Sequence, residues 1–370
     1  MNQKKTIALF VPSMRIGGAE KAFVKIANEL INLGFQVDFI TFLKETNLEI
    51  YLSPKVRLIN FDKKNAYLSL LPLVRYLVKS KPHSLLSTLD LTNLIAILAK
   101  IISRQKTTVS IYIVNNTSAQ IRTRFNKRFE QLLLSYFYPL ADNIIANSYG
   151  VVDDLAKYIN FPANKIKMQY IPTLDEDLVK LASEPISHPW FQENALPLIL
   201  GIGRLVEQKD FNLLIESFAI VNQQITSNLL IIGEGEQYEM LQNNILRLGL
   251  KEHVELIGNI INPYPYVKKA ALLAVPSKWD GLSMILIETM YLKIPVICTD
   301  CISGPKEALD NGKYGILVPV GNVNALSEGI IEILNGNHPV VDSSWMEQYS
   351  IEIGVPQLLR KMGLKDDNYE

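Results

Sequence analysis

The chain has 370 residues, of which 48% are hydrophobic and 20% charged. It is therefore globular rather than disordered, and too long for one ordinary core, so two domains are expected. Its 37 Lys+Arg balance its 37 Asp+Glu, which argues against nucleic acid as a partner of the whole molecule. The balance is uneven: residues 1–170 carry 23 basic and 11 acidic side chains, and the remainder carries 14 and 26. The first part therefore suits an anionic surface or acceptor, unless the two parts simply attract each other.

In chain order, the lysines before "TIALFVP" resemble the start of a signal peptide. Pro12 and Arg15 break that apolar run too soon, and it reads better as a buried first strand. The loop "PSMRIGGAEKAF" follows, with Gly17 and Gly18 expected to supply backbone angles and close approach that a Cβ would block. From Glu20 to Leu33 the spacing of Phe23, Ile26, Ala27 and Leu30 predicts an amphipathic helix. Further strands are predicted at "QVDFITF", "VRLINF", "SLLSTL", "TVSIYIV", "NIIANS" and "KMQYIP". Continuous Val/Ile/Leu runs suit a parallel sheet covered on both faces. "LTNLIAILAKIIS" is interrupted by Lys100 and falls short of the ~20 apolar residues needed to cross a bilayer.

The stretch "QIRTRFNKRFEQLLLSYFYPL" sets Phe125, Phe129 and Leu132 on one stripe, with Arg122, Arg124, Lys127 and Arg128 beside it. It reads equally as a face for anionic lipid or as a helix packed on its own sheet. Pro185, Pro189 and Pro197 then interrupt all periodicity, and strands resume at "PLILGIGRL", "NLLIIGEG", "VELIG", "LLAVPS", "PVICT" and "GILVPV". The alternation predicts an α/β chain of two doubly wound, Rossmann-like parallel-sheet domains, each binding ligands at the carboxyl ends of its strands. Boundaries are set at 1–180, a linker at 181–196, a second domain at 197–340 and a tail at 341–370. Cys298 and Cys301 form "CTDC" without a second pair to complete a zinc site, so they are expected to be small buried residues in a reducing compartment.

Two loops of the second half carry the chemistry. In "GIGRLVEQKDFNLLIESF", Val206 stands where a dinucleotide fingerprint needs its third glycine. Arg204 and Lys209, at a strand end and just before a helix, are placed to neutralise one diphosphate together. In "PSKWDGLSMILIETM", the backbone from Gly281 through Leu282, Ser283 and Met284 to Ile285 opens a helix and would cradle an anion. Asp280 and Glu288, eight positions apart, would repel that anion unless they face hydroxyls. A diphosphate flanked by a ribose and a sugar satisfies both demands.

Together "GGAE", "GRLVEQKDF", "IIGEGE", "PSKWDGLSMILIETM", "SGPKEAL" and "YGILVPVGN" resemble the retaining glycosyltransferases of family 4, which have GT-B architecture. The motifs stand in that family's order over nearly the whole chain. The resemblance implies two facing Rossmann-like domains with a cleft, the first on the acceptor side and the second on the donor side, and a tail that crosses back to the first. It implies transfer of a hexose or N-acetylhexosamine from a nucleotide diphosphate sugar, UDP-linked in the first instance, to a saccharide or polyprenyl (lipid-linked) acceptor in lipopolysaccharide, capsule or exopolysaccharide assembly. The first acid, Asp280, would hold the donor sugar and Glu288 the ribose, while Arg204 and Lys209 hold the diphosphate. Gly203, Gly233 and Glu307 would lie on the donor side, and Gly17 and Gly18 near the acceptor and leaving phosphate. No cofactor or metal is implied.

The chain departs from the family in two places. Asp280 is one methylene shorter than the usual Glu, and the loop after the fourth strand, where many members have a histidine, offers Asp90 and Asn93. Asp90 is taken as the acceptor-side candidate, and Asn116 in "IVNNTS" as the retained half of an Arg-Asn pair. A cytoplasmic location is expected, with peripheral contact at the inner face of the membrane. A catalytically inactive subunit that binds nucleotide or stabilises a partner transferase is the alternative. An epimerase of the same architecture lacks an acid–base set, and a dinucleotide oxidoreductase lacks a complete glycine fingerprint.

Overall fold

The long Val/Ile/Leu runs become parallel strands, because only a sheet covered on both faces buries side chains that do not alternate with polar ones. The computed structural model describes residues 5–120, 127–192 and 195–364, and the statements below concern those residues. The chain divides into two units, one formed by Met1–Thr173 with Gln348–Glu370 and the other by Leu174–Glu347.

In the first unit the strands are β1 (Thr6–Phe10), β2 (Gln36–Thr41), β3 (Arg57–Asn60), β4 (Ser84–Thr88), β5 (Thr108–Ile113), β6 (Asn143–Ala146) and β7 (Ile166–Met168). They form one sheet in the order β3-β2-β1-β4-β5-β6-β7. Its helices are α1 (Gly18–Asn32), α2 (Leu70–Ser80), α3 (Asp90–Ser103), α4 (Thr117–Gln120), α5 (Lys127–Phe137), α6 (Tyr149–Ile159) and, after the second unit, α15 (Ile351–Lys361). The connections from β3 onward all step the same way along the sheet. Right-handed crossovers then set α2, α3, α5 and α6 on one face. The β1–β2 connection steps the other way, so α1 covers the opposite face, with α15 packed on it. Helix α15 is tied to this unit by Lys361 O, which accepts from Lys167 Nζ at 2.6 Å, and by Met362 O, which accepts from Asn143 Nδ2 at 3.1 Å.

In the second unit β8 (Leu198–Ile202), β9 (Asn228–Ile232), β10 (Val254–Leu256), β11 (Leu272–Val275), β12 (Val296–Thr299) and β13 (Ile316–Val318) form a sheet in the order β10-β9-β8-β11-β12-β13. Around it lie α7 (Glu176–Leu181), α8 (Phe211–Gln224), α9 (Tyr238–Arg247), α10 (Tyr264–Lys269), α11 (Met284–Tyr291), α12 (Pro305–Ala308), α13 (Val323–Leu334) and α14 (Ser343–Met346). Phe211, Phe218 and Leu214 of α8 close on Ile199, Leu229 and Ile231 of the sheet. The proline-bearing stretch lies in this unit, where Phe191 meets Tyr266 edge-on at 5.3 Å.

Cys298 and Cys301 are free and buried. Burial pushes both thiols up, Cys301 to about 12, so both are thiols rather than thiolates near neutral pH. No helix among the described residues is long and apolar enough to cross a membrane. Residues Arg122, Arg124 and Phe125 of the basic stretch, and the terminal "KDDNYE", lie outside the described residues.

Candidate active site

Each sheet reverses its winding direction once. In the second unit the order passes from β8 to β9 on one side and to β11 on the other. The crevice at the carboxyl ends of β8 and β11 is the place where such a sheet binds ligands. Both chemistry-bearing loops end there: Gly203 to Lys209 follows β8, and Ser277 to Ser283 follows β11.

The two loops are joined by polar contacts. Lys209 Nζ lies 2.5 Å from Asp280 Oδ2, with both side chains largely buried. Ser277 Oγ also donates to Asp280 Oδ2 at 3.4 Å. Between them, Gln208 donates through Nε2 to Trp279 O at 3.0 Å and accepts from Arg204 Nη2 at 3.2 Å. Its own carbonyl takes the Lys278 N–H at 2.8 Å. Arg204 is otherwise exposed. The two cations expected to share one anion thus already have partners in the ligand-free chain: Lys209 an acid, Arg204 an amide. Any diphosphate entering here would exchange those contacts for its own.

Each of these loops also lies against a neighbouring loop where a side chain would not fit. A Cβ on Gly233 would overlap the carbonyl oxygen of Gly203, and one on Gly304, where φ is +78°, would overlap that of Gly281. Gly304 precedes α12, whose Glu307 is half-buried. Ser303 donates through Oγ to Asp280 O at 3.0 Å, which anchors the loop after β12 to the acid.

Helix α11 begins at Met284 with Ser283 as N-cap, and no side chain caps its first N–H groups. Those orphan donors and the positive end of the helix dipole favour an anion at Gly281 to Ile285. Glu288, one turn along, is buried, and Tyr264 of α10 donates to its Oε1 at 2.9 Å. A charged acceptor taking an O–H is held about 1.5–3 kcal/mol better than an unbonded one. If Glu288 recognises the nucleotide, Tyr264→Phe should raise the donor KM by roughly tenfold or more and leave kcat within about twofold, as measured by initial rates. An equal loss in kcat would show that Tyr264 acts elsewhere.

In the first unit, Gly17, Asp90 and Asn116 follow β1, β4 and β5, three adjacent strands flanking that sheet's own reversal. Two readings change. Gly17 has φ −160°, an extended angle any residue adopts, and what a Cβ would meet there is the carboxylate of Glu20. Glu20, on the first turn of α1, folds back over Gly17 and accepts from Arg15 Nε at 3.2 Å, so the helix start carries its own anion. Gly18 is simply the first helical residue.

Asp90 and Asn93 are not in a loop either. The chain turns at Leu89 alone, with φ +71°, and α3 starts at once. Asp90 accepts from Tyr138 OH at 3.0 Å, and the fully buried Asn93 accepts from Ser87 Oγ at 2.8 Å. Burial and the neighbouring Asp90 push the Tyr138 hydroxyl well above its ordinary range, so it stays a donor. Asn116 is buried before α4.

Gln208, Tyr264, Ser303 and Glu20 emerge only in three dimensions. For Glu20 the sequence held a signal: an acid three residues after a helix cap. For the other three it held none.

Two family models match the chain: "Glycosyltransferase Family 4" over residues 16–173 and "Glycosyl transferases group 1" over residues 186–345. Among curated relatives, a Campylobacter jejuni N-acetylgalactosamine-N,N'-diacetylbacillosaminyl-diphospho-undecaprenol 4-alpha-N-acetylgalactosaminyltransferase is 28% identical over 337 residues, covering 89% of this chain and 90% of that protein. The capsular polysaccharide biosynthesis glycosyltransferase CapM of Staphylococcus aureus is 24% identical over 80% of this chain and 83% of its own. Among solved structures, Anabaena HepE in complex with UDP-glucose superimposes with a TM-score of 0.77 at 19% identity, over 97% of this chain and 99% of that one.

Proposed function

The chain is a family 4-like glycosyltransferase of GT-B architecture, and from that premise we propose that it is a retaining enzyme. It would move a hexose or N-acetylhexosamine from a nucleotide diphosphate sugar, in the first instance a UDP-sugar, to a lipid-linked or saccharide acceptor in bacterial cell-surface polysaccharide assembly. The observation that carries this reading is the buried Lys209–Asp280 pair beside the open N-terminus of α11. A cation, an acid and free amides converge on one crevice, and a sugar diphosphate has a use for all three.

On this reading the diphosphate takes Lys209, Arg204 and the α11 amides from Gly281 to Met284, which frees Asp280 to accept from the hydroxyls of the sugar. Glu288, oriented by the Tyr264 hydroxyl, holds the ribose. Gly203 and Gly233 keep the loop floor low, and Glu307 approaches from the loop after β12. The anomeric carbon–oxygen bond to the diphosphate breaks, and the acceptor oxygen bonds to the same face of the sugar. The acceptor proton passes to the departing phosphate oxygen. Charge builds on the diphosphate as it leaves, and preorganised donors aimed at such charge usually contribute the largest catalytic effect. Gly17, Gly18, Asp90 and Asn116 are assigned to the acceptor side.

The Campylobacter jejuni relative is named for a diphospho-undecaprenol saccharide acceptor. A chain-like lipid acceptor would bring this enzyme to the inner face of the membrane. Phe129 and Leu132 of α5 are exposed rather than packed on the sheet. The test is a panel of nucleotide sugars screened for donor hydrolysis and thermal stabilisation, then for transfer to lipid-linked and free saccharides with the best donor. No hydrolysis together with stabilisation by nucleotide would instead favour an inactive binding subunit.

A further inference from the structure

Helix α2 is apolar on two sides. Leu73, Tyr76 and Leu77 enter the core of the first unit. The opposite side shows Leu68, Leu71, Arg75 and Val78 at spacings of three, four and three, which is one helical stripe. Leu68, Leu71 and Val78 are 53%, 61% and 46% exposed, and Tyr67 in the turn before them is 63% exposed. Exposed apolar side chains on the outward side of a helix are better placed against a second apolar phase than in water.

The patch continues across the neighbouring helix. Helix α3 packs against α2, and its last turn exposes Ile101 and Ile102. Because α2 and α3 belong to successive crossovers of the same hand, they run in the same direction on the same face. The carboxyl ends of both therefore sit together. Exposed cations rim the apolar residues: Lys64, Arg75, Lys79, Lys81, Arg104 and Lys106. Helix α2 contains no acid, and the preceding Asp62 is paired with Lys44 at 3.3 Å.

We propose that this face, built on α2 and the end of α3, docks the enzyme on an anionic lipid bilayer. Leucines, valine and isoleucines enter the acyl boundary, Tyr67 sits at headgroup depth, and the cations meet lipid phosphates. Charge decides the occupant. A patch of this kind on a soluble chain marks an interaction site, and a one-signed rim around an apolar centre complements an anionic membrane. The proposal shares with the proposed function the premise of a membrane contact, but it assigns that contact to residues 67–81 and 101–106 rather than to α5.

The test is flotation of the full chain with phosphatidylcholine vesicles, with and without about one-third phosphatidylglycerol. Wild type is expected to float with the anionic vesicles and to be released by salt, since such attraction fades within a Debye length. Leu68→Asp/Leu71→Asp and Arg75→Glu/Lys79→Glu should each lower binding by about tenfold or more. Both variants should keep the wild-type melting temperature and vesicle-free donor hydrolysis, because the altered side chains are exposed. Flotation lost in Leu132→Asp but kept in both α2 variants overturns the α2 assignment and leaves the membrane reading standing. A wild type that does not float overturns both, whatever the donor assay shows. A wild-type dimer that Leu71→Asp converts to monomer, without vesicle binding, assigns the face to a second copy of the chain and overturns the proposal.

Discussion

Lys209→Ala is expected to lower turnover about 10²–10³-fold, the loss of about 2.7–4 kcal/mol seen when one preorganised donor to developing charge is removed. The same substitution strands Asp280, which is buried and keeps the longer hydrogen bond from Ser277 Oγ. Breaking a fully buried pair costs about 3–5 kcal/mol; with Lys209 partly accessible, a loss on the order of 2 kcal/mol is expected. The two effects separate in the double variant Lys209→Ala/Asp280→Asn. A neutral amide needs no cation, so most of the stability should return, while turnover stays low because the diphosphate still lacks its lysine. Steady-state rates and denaturant melts of the three proteins measure both. Near-normal turnover in Lys209→Ala would remove Lys209 from the leaving-group site.

Gly304→Ala is the second large effect. Its added methyl would overlap the Gly281 carbonyl oxygen, and φ of +78° is disfavoured for alanine besides. Gly321 has a similar angle, +73°, and nothing within 4 Å. Gly321→Ala therefore reports the angle alone, about 1 kcal/mol. Gly304→Ala adds displacement of the loop that holds Asp280 through Ser303, and should cost several times as much stability and at least about 10²-fold in turnover, as expected when catalytic groups shift by about 1 Å. Equal behaviour of the two variants would mean that the loops tolerate separation and that their contact has no part in catalysis.

Residues whose surroundings are set by their own run of sequence were legible. The strand "PVICT" has no alternation because both of its faces are covered, and the helix after Ser283 is delimited by its flanking turn and Pro295. What escaped depends on chain segments far apart. Tyr264 reaches Glu288 from a helix 24 positions earlier, and Gln208 bridges to Trp279 across 71 positions. Gly17 looked like a point of close backbone approach because the reach of Glu20 back over it is a matter of rotamer. Asp90 looked like a loop residue because a leucine at positive φ, which lets α3 begin immediately, runs against local preference. The outward stripe of α2 was hidden because apolar residues on both sides of a short helix read as a core helix.

The first unit is interrupted in sequence: Thr173 is followed by the whole of the second unit before Tyr349 returns to accept its N–H at 2.9 Å. During synthesis the later-made unit therefore has all its residues first. The earlier one waits, with the flank of α1 that α15 will cover still open, until residues 351–361 have left the ribosome. A stop codon just after residue 347 would spare the second unit and maim the unit made first, so damage from late truncations should appear at the opposite end of the chain from the lesion.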